Sequence, residues 1–411
     1  NENQAKNIKI QTQQFKTESA KLIADQQLDL TAAQNIDNQK GQYSANQINI
    51  DTNHLNNDQG LIQHTGQNDF ILNIADRIDN KTGKIISNAN NTEIKTNSLN
   101  SNAGEILHAG NQQLKITAQS LQGEQGTIQS NSKLQLELGA TNLDNATTTA
   151  QNINLNVTSL SHQQGQLIQS DANGQLNVNV EQVLDNTSGV ISAAGHAKIK
   201  TADLNNQQGV IQSLAQKDLI IDSKTVENAS GKIIVGRDAN LRVGQLNNDT
   251  GIVYADGKLD LQAEQNVSNQ QGLIAAKQAL SIKGQALNNQ KGQIQSEQSD
   301  VNLKLTQTIN NQSGHIQSTQ ALNIQSPNLN NKNGQLISGA DSELNVTDLN
   351  NQAGTIYAKK QLDVSVSATA DNSAGTIAAE QNLNLNAQQL LNDAGQIRSE
   401  NADATLNITQ S

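Results

Sequence analysis

Six histidines are the residues of this chain best suited to binding a metal ion or moving a proton, because imidazole does both near neutral pH. They are His54, His64, His108, His162, His196 and His315. A zinc site needs three or four ligands around one point. Two of the six share a position in the repeat described below, but a whole repeat unit separates them. We therefore interpret all six as surface or corner residues, and we predict no catalytic residue, no metal site and no cofactor.

A polysaccharide-degrading enzyme is the competing interpretation, because enzymes of that class also use β-helices. Their sites combine carboxylates, basic residues and usually aromatic platforms on loops that interrupt the coil. The aromatic residues here are Phe15, Tyr43, Phe70, Tyr254 and Tyr357. The turns are short and uniform, and neither a Gly-x-Ser-x-Gly elbow nor tandem calcium-binding nonapeptides occur. The sequence favours a protein that is not an enzyme.

Two stretches break this uniformity, and a loop could leave the regular structure at either. They are GQNDFILNIADR at residues 66–77 and GATNLDNATTTAQ at residues 139–151. Loops on a rigid scaffold are common binding elements. A specific binding site of this chain is therefore expected at one of the two stretches; otherwise they are tolerated differences in length.

The charge of the chain argues against nucleic-acid and heparin-like partners. Asp and Glu outnumber Lys and Arg by 38 to 27, the formal net charge is −11, and the basic residues are scattered singly. A groove that binds a polyanion needs clustered Lys and Arg side chains. No apolar run approaches the roughly 18 residues of a membrane span, and the first residues resemble no signal or transit peptide. Because the chain starts within its pattern and without Met, we expect it to be a segment of a longer protein.

A tandem repeat organises the whole chain. The segment LNNQQGVIQS at residues 204–213 returns as LNNDTGIVYA from residue 246 and as LNNKNGQLIS from residue 329. Glycines anchor the copies at spacings of 19 to 24 residues, with one gap of 39 that we interpret as two shortened units. The anchors are Gly41, Gly60, Gly83, Gly104, Gly126, Gly165, Gly189, Gly209, Gly231, Gly251, Gly272, Gly292, Gly314, Gly334, Gly354, Gly375 and Gly395. Such a period predicts a solenoid.

Short alternating runs follow the glycines and predict strands. Apolar and polar residues alternate in LQLEL at 134–138, LNVNV at 176–180 and LDVSV at 362–366, which is typical of strands with one buried face. A single unit cannot bury this face, so the units must stack.

The predicted fold is therefore all-β, a right-handed parallel β-helix of about nineteen coils of 20–22 residues. At roughly 4.8 Å per coil it would be on the order of 90 Å long. We expect residues 1–411 to form a single elongated segment, with less regular coils at 1–34 and 139–157.

Two repeat positions have predicted structural roles. Glycine is expected where the chain turns with positive φ, which costs other residues roughly 1–2 kcal/mol. The turn glycines of the most regular part are Gly209, Gly231, Gly251, Gly272, Gly292, Gly314, Gly334, Gly354, Gly375 and Gly395. The asparagine three residues earlier can bond the backbone, and stacked copies can bond one another as a ladder. The predicted ladder is Asn186, Asn206, Asn228, Asn248, Asn269, Asn289, Asn311, Asn331, Asn351, Asn372 and Asn392.

The repeated LNNQQGVIQS pattern with its following alternating run resembles the repeats of filamentous haemagglutinins and of contact-dependent inhibition effectors. Both are large exoproteins of two-partner secretion in Gram-negative bacteria. The resemblance implies a β-helical stalk that is exported through an outer-membrane partner and held at the cell surface, as an adhesin or as the carrier of a toxin. It covers nearly the whole chain, and the coil near Asp144 and residues 1–34 depart from it.

Two functions follow from this resemblance and from the uniform repetition. The first is a stiff rod that presents an adhesive or toxin-delivering domain away from the cell. The second is a rod that itself binds a receptor, a protein or a glycan on a host or neighbouring bacterial cell, along an exposed face of Asn, Gln and Thr. The uniform repetition, without a cluster of reactive residues, favours the stiff rod.

Overall fold

A computed structural model describes residues 2–214 and 216–410, and in that part of the chain every regular element is a β-strand. Accordingly, these residues include no helix with the length and hydrophobicity of a membrane span. The chain forms two compact units, Asn1–Asn205 and Asn206–Ser411, which are described one at a time.

The first unit contains nineteen strands in its described residues. They are β1 (Glu2–Lys16), β2 (Lys21–Asp37), β3 (Gln42–Asp51), β4 (His54–Asn56), β5 (Leu61–His64), β6 (Phe70–Asn73), β7 (Arg77–Asp79), β8 (Lys84–Ser87), β9 (Asn91–Lys95), β10 (Ser98–Asn100), β11 (Glu105–His108), β12 (Gln113–Gln122), β13 (Thr127–Asn142), β14 (Thr147–Ser161), β15 (Gln166–Gln169), β16 (Gln175–Val180), β17 (Val183–Asp185), β18 (Val190–Ala193) and β19 (His196–Asn205).

The second unit continues the numbering with twenty-one strands in its described residues. They are β20 (Val210–Ser213), β21 (Leu219–Glu227), β22 (Lys232–Val235), β23 (Ala239–Asn247), β24 (Ile252–Ala255), β25 (Leu259–Ala263), β26 (Asn266–Ser268), β27 (Leu273–Ala276), β28 (Leu280–Asn288), β29 (Gln293–Ser296), β30 (Val301–Asn310), β31 (His315–Ser318), β32 (Leu322–Asn330), β33 (Gln335–Ser338), β34 (Ser342–Asn350), β35 (Thr355–Ala358), β36 (Leu362–Asp371), β37 (Thr376–Ala379), β38 (Leu383–Leu391), β39 (Gln396–Ser399) and β40 (Ala404–Ile408).

Strands pair in parallel with the equivalent strand one coil away. In the first unit, Leu114, Leu134, Ile153 and Leu176 are register partners in successive coils. A corresponding row of the second unit is Leu259, Leu280, Val301, Leu322, Ser342, Leu362 and Leu383. The predicted all-β parallel β-solenoid of about nineteen turns is confirmed, whereas its right-handed winding stays a prediction.

The interior of each unit is a thin stack of aliphatic rows. In β36, Leu362, Val364 and Val366 are at most 4% exposed, while the residues between them point outward. This alternation is the reason that the LDVSV type of run forms a strand here. Two aromatic residues are also completely buried, Tyr43 and Phe70.

The gap of 39 residues between anchor glycines contains two coils. Ala146 occupies the glycine position, and Asn145 before it has a positive φ of 56°, as the equivalent residues of other coils also have positive φ. Residues 139–142 and 147–151 lie in the paired strands β13 and β14, so no loop leaves the coil there. The spacing of the apolar residues therefore indicated two coils in this region correctly, although the glycine between them is missing.

Residues 66–77 likewise stay within the coil, contrary to the expectation of a loop. Phe70 and Leu72 fill the interior and are 0% exposed, while Ile71 between them points outward. β6 pairs with β9 over four residues but with β3 only through Ile50 and Leu72. The stretch is thus a loosely paired coil. Of the stretch 1–34, residue 1 lies outside the described residues, and strands β1 and β2 are paired as well, with register shifts in both.

Candidate functional site

The Asn-x-x-Gly segment forms a tight corner in coil after coil. In one of them, the backbone N–H of Gly231 donates to the carbonyl oxygen of Asn228 at 2.9 Å, which closes the corner. The backbone N–H of Asn228 donates to the carbonyl oxygen of Asn247 in the next coil at 2.7 Å. Each corner is therefore closed by one bond and attached to its neighbour by another.

The prediction that the glycines have positive φ is wrong. The left-handed residue is the one before the glycine, for example Ser230, Thr250 and Lys291, each with φ of 56°. Among the described residues no glycine has positive φ. The correction applies to Gly209, Gly231, Gly251, Gly272, Gly292, Gly314, Gly334, Gly354, Gly375 and Gly395. A glycine in a turn suggested the left-handed conformation, but glycine occurs at this position for a different reason.

Close approach of the neighbouring coil is that constraint. A Cβ atom on Gly334 would lie 2.5 Å from Oδ1 of Asn331 and 2.9 Å from Nδ2 of Asn311, and closer still to the carbonyl oxygen of Asn311. Real Cβ atoms do not approach other atoms so closely. Glycine is needed because only hydrogen fits between the stacked asparagines.

The asparagine side chains of the second unit form a continuous ladder. Nδ2 of Asn228 donates to Oδ1 of Asn248 at 2.7 Å. It also lies 3.3 Å from the carbonyl oxygen of Gly231 in its own corner and 3.2 Å from that of Ile252 in the next coil. The same side-chain bond, at 2.7 or 2.8 Å, joins Asn206, Asn228, Asn248, Asn269, Asn289, Asn311, Asn331, Asn351, Asn372 and Asn392 in order. All but Asn392 are 0% exposed. The ladder satisfies amide groups that would be costly to bury unpaired.

The first unit contains a shorter ladder, followed by an interruption. Nδ2 of Asn38 donates to Asn57, which donates to Asn80, each at 2.7 Å, and Asn80 donates to Ser101 Oγ at 3.0 Å. These asparagines also stand three residues before a repeat glycine, so the sequence carried the signal that the predicted ladder omitted.

Apolar contact replaces the amide bonds at the interruption. Gly123 and Leu143 occupy the next two ladder positions, and a Cβ on Gly123 would lie 2.9 Å from Cδ2 of Leu143. His162 follows, with its Nδ1 2.8 Å from Oδ1 of Asn186. Asn186, the first residue of the predicted ladder, is therefore joined to a histidine on this side.

Three of the six histidines are buried, so only the corner placement in the prediction of surface or corner residues applies to them. His64, His108 and His162 are at most 2% exposed, and burial lowers the pKa of each. His64 stacks on Phe70 with ring centroids 4.9 Å apart. Nδ1 of His108 lies 2.9 Å from Oγ of Ser130. They occupy corners, as the second half of the prediction stated.

The other three histidines lie outside the core. Nε2 of His54 lies 2.9 Å from Oδ2 of Asp79. Desolvation raises the pKa of the Asp79 carboxyl, but the hydrogen bond to His54 and the charge of Arg77 together lower it by more, so the pKa lies below its ordinary value. Nε2 of His315 is 2.9 Å from Oε1 of Gln317, and His196 is exposed. Among residues 2–214 and 216–410, no three His, Asp or Glu side chains are grouped so as to hold a metal ion. The predicted structural residues are thus brought together at the corners of successive coils.

Comparison with protein families gives a match along the whole chain. A family profile described as haemagglutinin repeat matches in eight overlapping segments. They are residues 1–81, 65–122, 109–180, 171–225, 216–270, 254–302, 298–371 and 350–411. Neither a curated protein nor a solved structure matched the chain.

Proposed function

Because the chain belongs to the haemagglutinin repeat family, we propose that it is a stiff spacer of a large two-partner-secretion protein. In this proposal the protein is exported through an outer-membrane partner and stands on the outer surface of a Gram-negative bacterium. The spacer holds an adhesive domain, or a toxin-delivering domain as in contact-dependent inhibition effectors, away from that surface.

The uninterrupted ladder of the second unit is the observation that supports this role most. Ten asparagines from Asn206 to Asn392 are joined by consecutive hydrogen bonds, all buried except the partly buried last one, next to parallel rows of aliphatic residues. Bending such a stack opens amide bonds and apolar contacts on one side. Each buried amide bond contributes about 0.5–1.5 kcal/mol net, and an orphaned partner costs about 1–3 kcal/mol. The stack therefore resists bending at every coil.

A spacer should depend on the number of coils and not on their individual sequences. The test removes residues 273–334, three repeats from one anchor glycine to another, from the full-length surface protein. Adhesion or toxin delivery by the remaining protein is then compared with that of a matched control, in which residues 273–334 are replaced by a second copy of residues 335–395.

We expect the deletion to shorten the reach of the distal domain by roughly 14 Å, three coils at about 4.8 Å each, and to reduce its activity. The replacement should restore the activity, because it restores the length. Loss of activity in the replaced protein, with its folding unchanged, would contradict the spacer role and would assign the activity to the removed residues themselves.

A further inference from the structure

An apolar patch lies on the outer face of the second unit, on three successive strands. Its members alternate with buried residues, so their side chains point outward and are partly exposed. They are Ile234 of β22, Ile252 and Tyr254 of β24, and Leu273 of β27. In the next strand, β29, glutamines take both outward positions. We name these four residues the outer patch. An exposed apolar cluster with a polar border marks a site of association.

The ring of Tyr254 makes the outer patch flat. Its register partner in the next coil is Ala275, which also points outward but is 0% exposed. Burial raises the pKa of Tyr254, and the charge of Glu297, two coils away, raises it further. The phenol therefore extends along the stack of coils, over Ala275 and toward Glu297. A flat apolar surface fits a partner that is flat as well.

A pair of opposite charges lies at one edge of the outer patch. Nζ of Lys277 donates to Oδ1 of Asp256 at 3.0 Å, and the side chains are 40% and 37% exposed. The two residues take the same position in successive coils, since Asp256 follows β24 and Lys277 follows β27. At the opposite edge, Ile252 and Leu273 carry no charge. The patch therefore has one charged edge and one apolar edge.

This arrangement makes the outer patch complementary to itself. A two-fold axis parallel to the strands, between β24 and β27, would bring β24 of one chain against β27 of a second copy. Ile252 then faces Leu273 of the second copy, and Asp256 faces Lys277 of the second copy. The two Tyr254 rings meet near the axis. Two ion pairs of opposite order thus combine at the rim of an apolar contact. With the two chains parallel, the charged edge would face the apolar edge.

We propose that the outer patch binds a second copy of this chain in an antiparallel, two-fold symmetric dimer. The six strands that would meet, β20, β22, β24, β27, β29 and β31, cover roughly 29 Å by about 16 Å. This is less than the roughly 800 Å² per partner of a standard interface, so we expect a dissociation constant on the order of 0.1 mM. The dimer goes beyond the spacer function, and either can hold without the other.

The test is sedimentation equilibrium of the whole chain from about 10 μM to about 0.5 mM, which brackets this affinity. The unchanged protein should pass from monomer to dimer and form nothing larger, because a two-fold interface is closed. Asp256→Lys sets four positive charges together and Lys277→Asp four negative ones, so each variant alone should associate about tenfold more weakly or less still. An equal mixture of the two variants should form dimers again, because each positive edge then faces a negative one.

The matched control is Glu93→Lys. Glu93 likewise belongs to an exposed pair between neighbouring coils, with Lys115 at 3.8 Å, but it lies outside the outer patch, so the association should not change. The proposal is overturned if the unchanged protein stays monomeric or grows beyond the dimer. It is also overturned if the two charge variants associate as the unchanged protein does, if their mixture stays monomeric, or if Glu93→Lys weakens association equally. Circular dichroism establishes that each variant is folded, and none of these results bears on the spacer test.

Discussion

At the residue scale, two adjacent positions of each corner have different tasks. Gln271 adopts φ of 55°, while Gly272 leaves space for Asn248 and Asn269. The left-handed conformation costs a residue with a side chain roughly 1–2 kcal/mol, and many residue types tolerate it here. Beside ladder asparagines the glycine position has no room for a Cβ atom, because the backbone of the neighbouring coil and the asparagine of the same coil lie too close. This difference explains why glycine recurs one residue after the left-handed position.

Substitutions at these two positions should have unequal effects. Gly272→Ala is expected to lower the free energy of unfolding by more than about 1 kcal/mol, because the added Cβ would lie 2.6 Å from Oδ1 of Asn269. Gln271→Gly should be neutral or stabilising by up to about 1 kcal/mol, since relief of strain is partly offset by a more flexible unfolded chain. Urea unfolding measures both. A neutral Gly272→Ala would refute the steric explanation.

The buried histidines make the stability of the first unit depend on pH. Burial lowers the pKa of His64 below its ordinary value of 6.5. Above that value the ring is neutral in the folded and unfolded chain alike. As the pH falls through it, the unfolded chain takes up a proton that the folded chain does not, so the free energy of unfolding decreases. The same sign applies to His108 and His162.

Between about pH 7 and about pH 5, the protection of the β5 amides against hydrogen exchange, relative to the intrinsic exchange rate at each pH, should therefore fall more than that of the β33 amides. Strand β33 belongs to the unit whose single histidine, His315, is only partly buried. The variant His64→Gln should show a smaller change than the unchanged protein, and the exposed His196→Gln should serve as the control. An equal change in His64→Gln and the unchanged protein would show that His64 does not contribute.

At the element scale, the ladder connects the corners of successive coils. Asn331 accepts a bond from Asn311 at 2.8 Å and donates one to Asn351 at 2.7 Å. Its side chain is thus the link between two coils that are not themselves adjacent. The ladder is a feature of the stack as a whole, because no single coil contains both partners of any of its side-chain bonds.

Removing one link should be more costly than removing an exposed asparagine. Asn331→Ala leaves Nδ2 of Asn311 and Oδ1 of Asn351 without these partners in a buried place, so the free energy of unfolding should fall by about 2–5 kcal/mol. The control Asn328→Ala, on an exposed position of β32, should change it by less than about 0.5 kcal/mol. Similar values for the two variants, measured by urea unfolding, would show that the ladder does not stabilise the coil.

The repeat made the strands and the ladder of the second unit predictable, because Leu204, Asn206 and Gly209 have equivalents at fixed spacing. Which residue of the turn has positive φ was not predictable. A repeated glycine can indicate either that its own φ is positive or that a neighbouring coil leaves no room for a side chain. The stacking of Phe70 on His64 was hidden for a related reason. From the sequence alone a histidine is expected to be exposed, because the side chain that packs against it comes from another part of the coil.

At the scale of the whole molecule, one rule describes both units: each segment of about 21 residues adds a coil in parallel register. The units differ in the continuity of the ladder. In the second it runs from Asn206 to Asn392, whereas in the first Gly123 and Leu143 interrupt it. The proposed spacer function requires only that length increase with the number of coils.

Small-angle X-ray scattering of the chain tests this requirement most directly. The sequence repeat predicts a maximum dimension on the order of 90 Å, which decreases by roughly 14 Å when residues 273–334 are deleted. A compact globule of this length would have a radius of gyration of about 22 Å and a diameter of roughly 60 Å. A measured dimension near that diameter, with little change on deletion, would contradict the account.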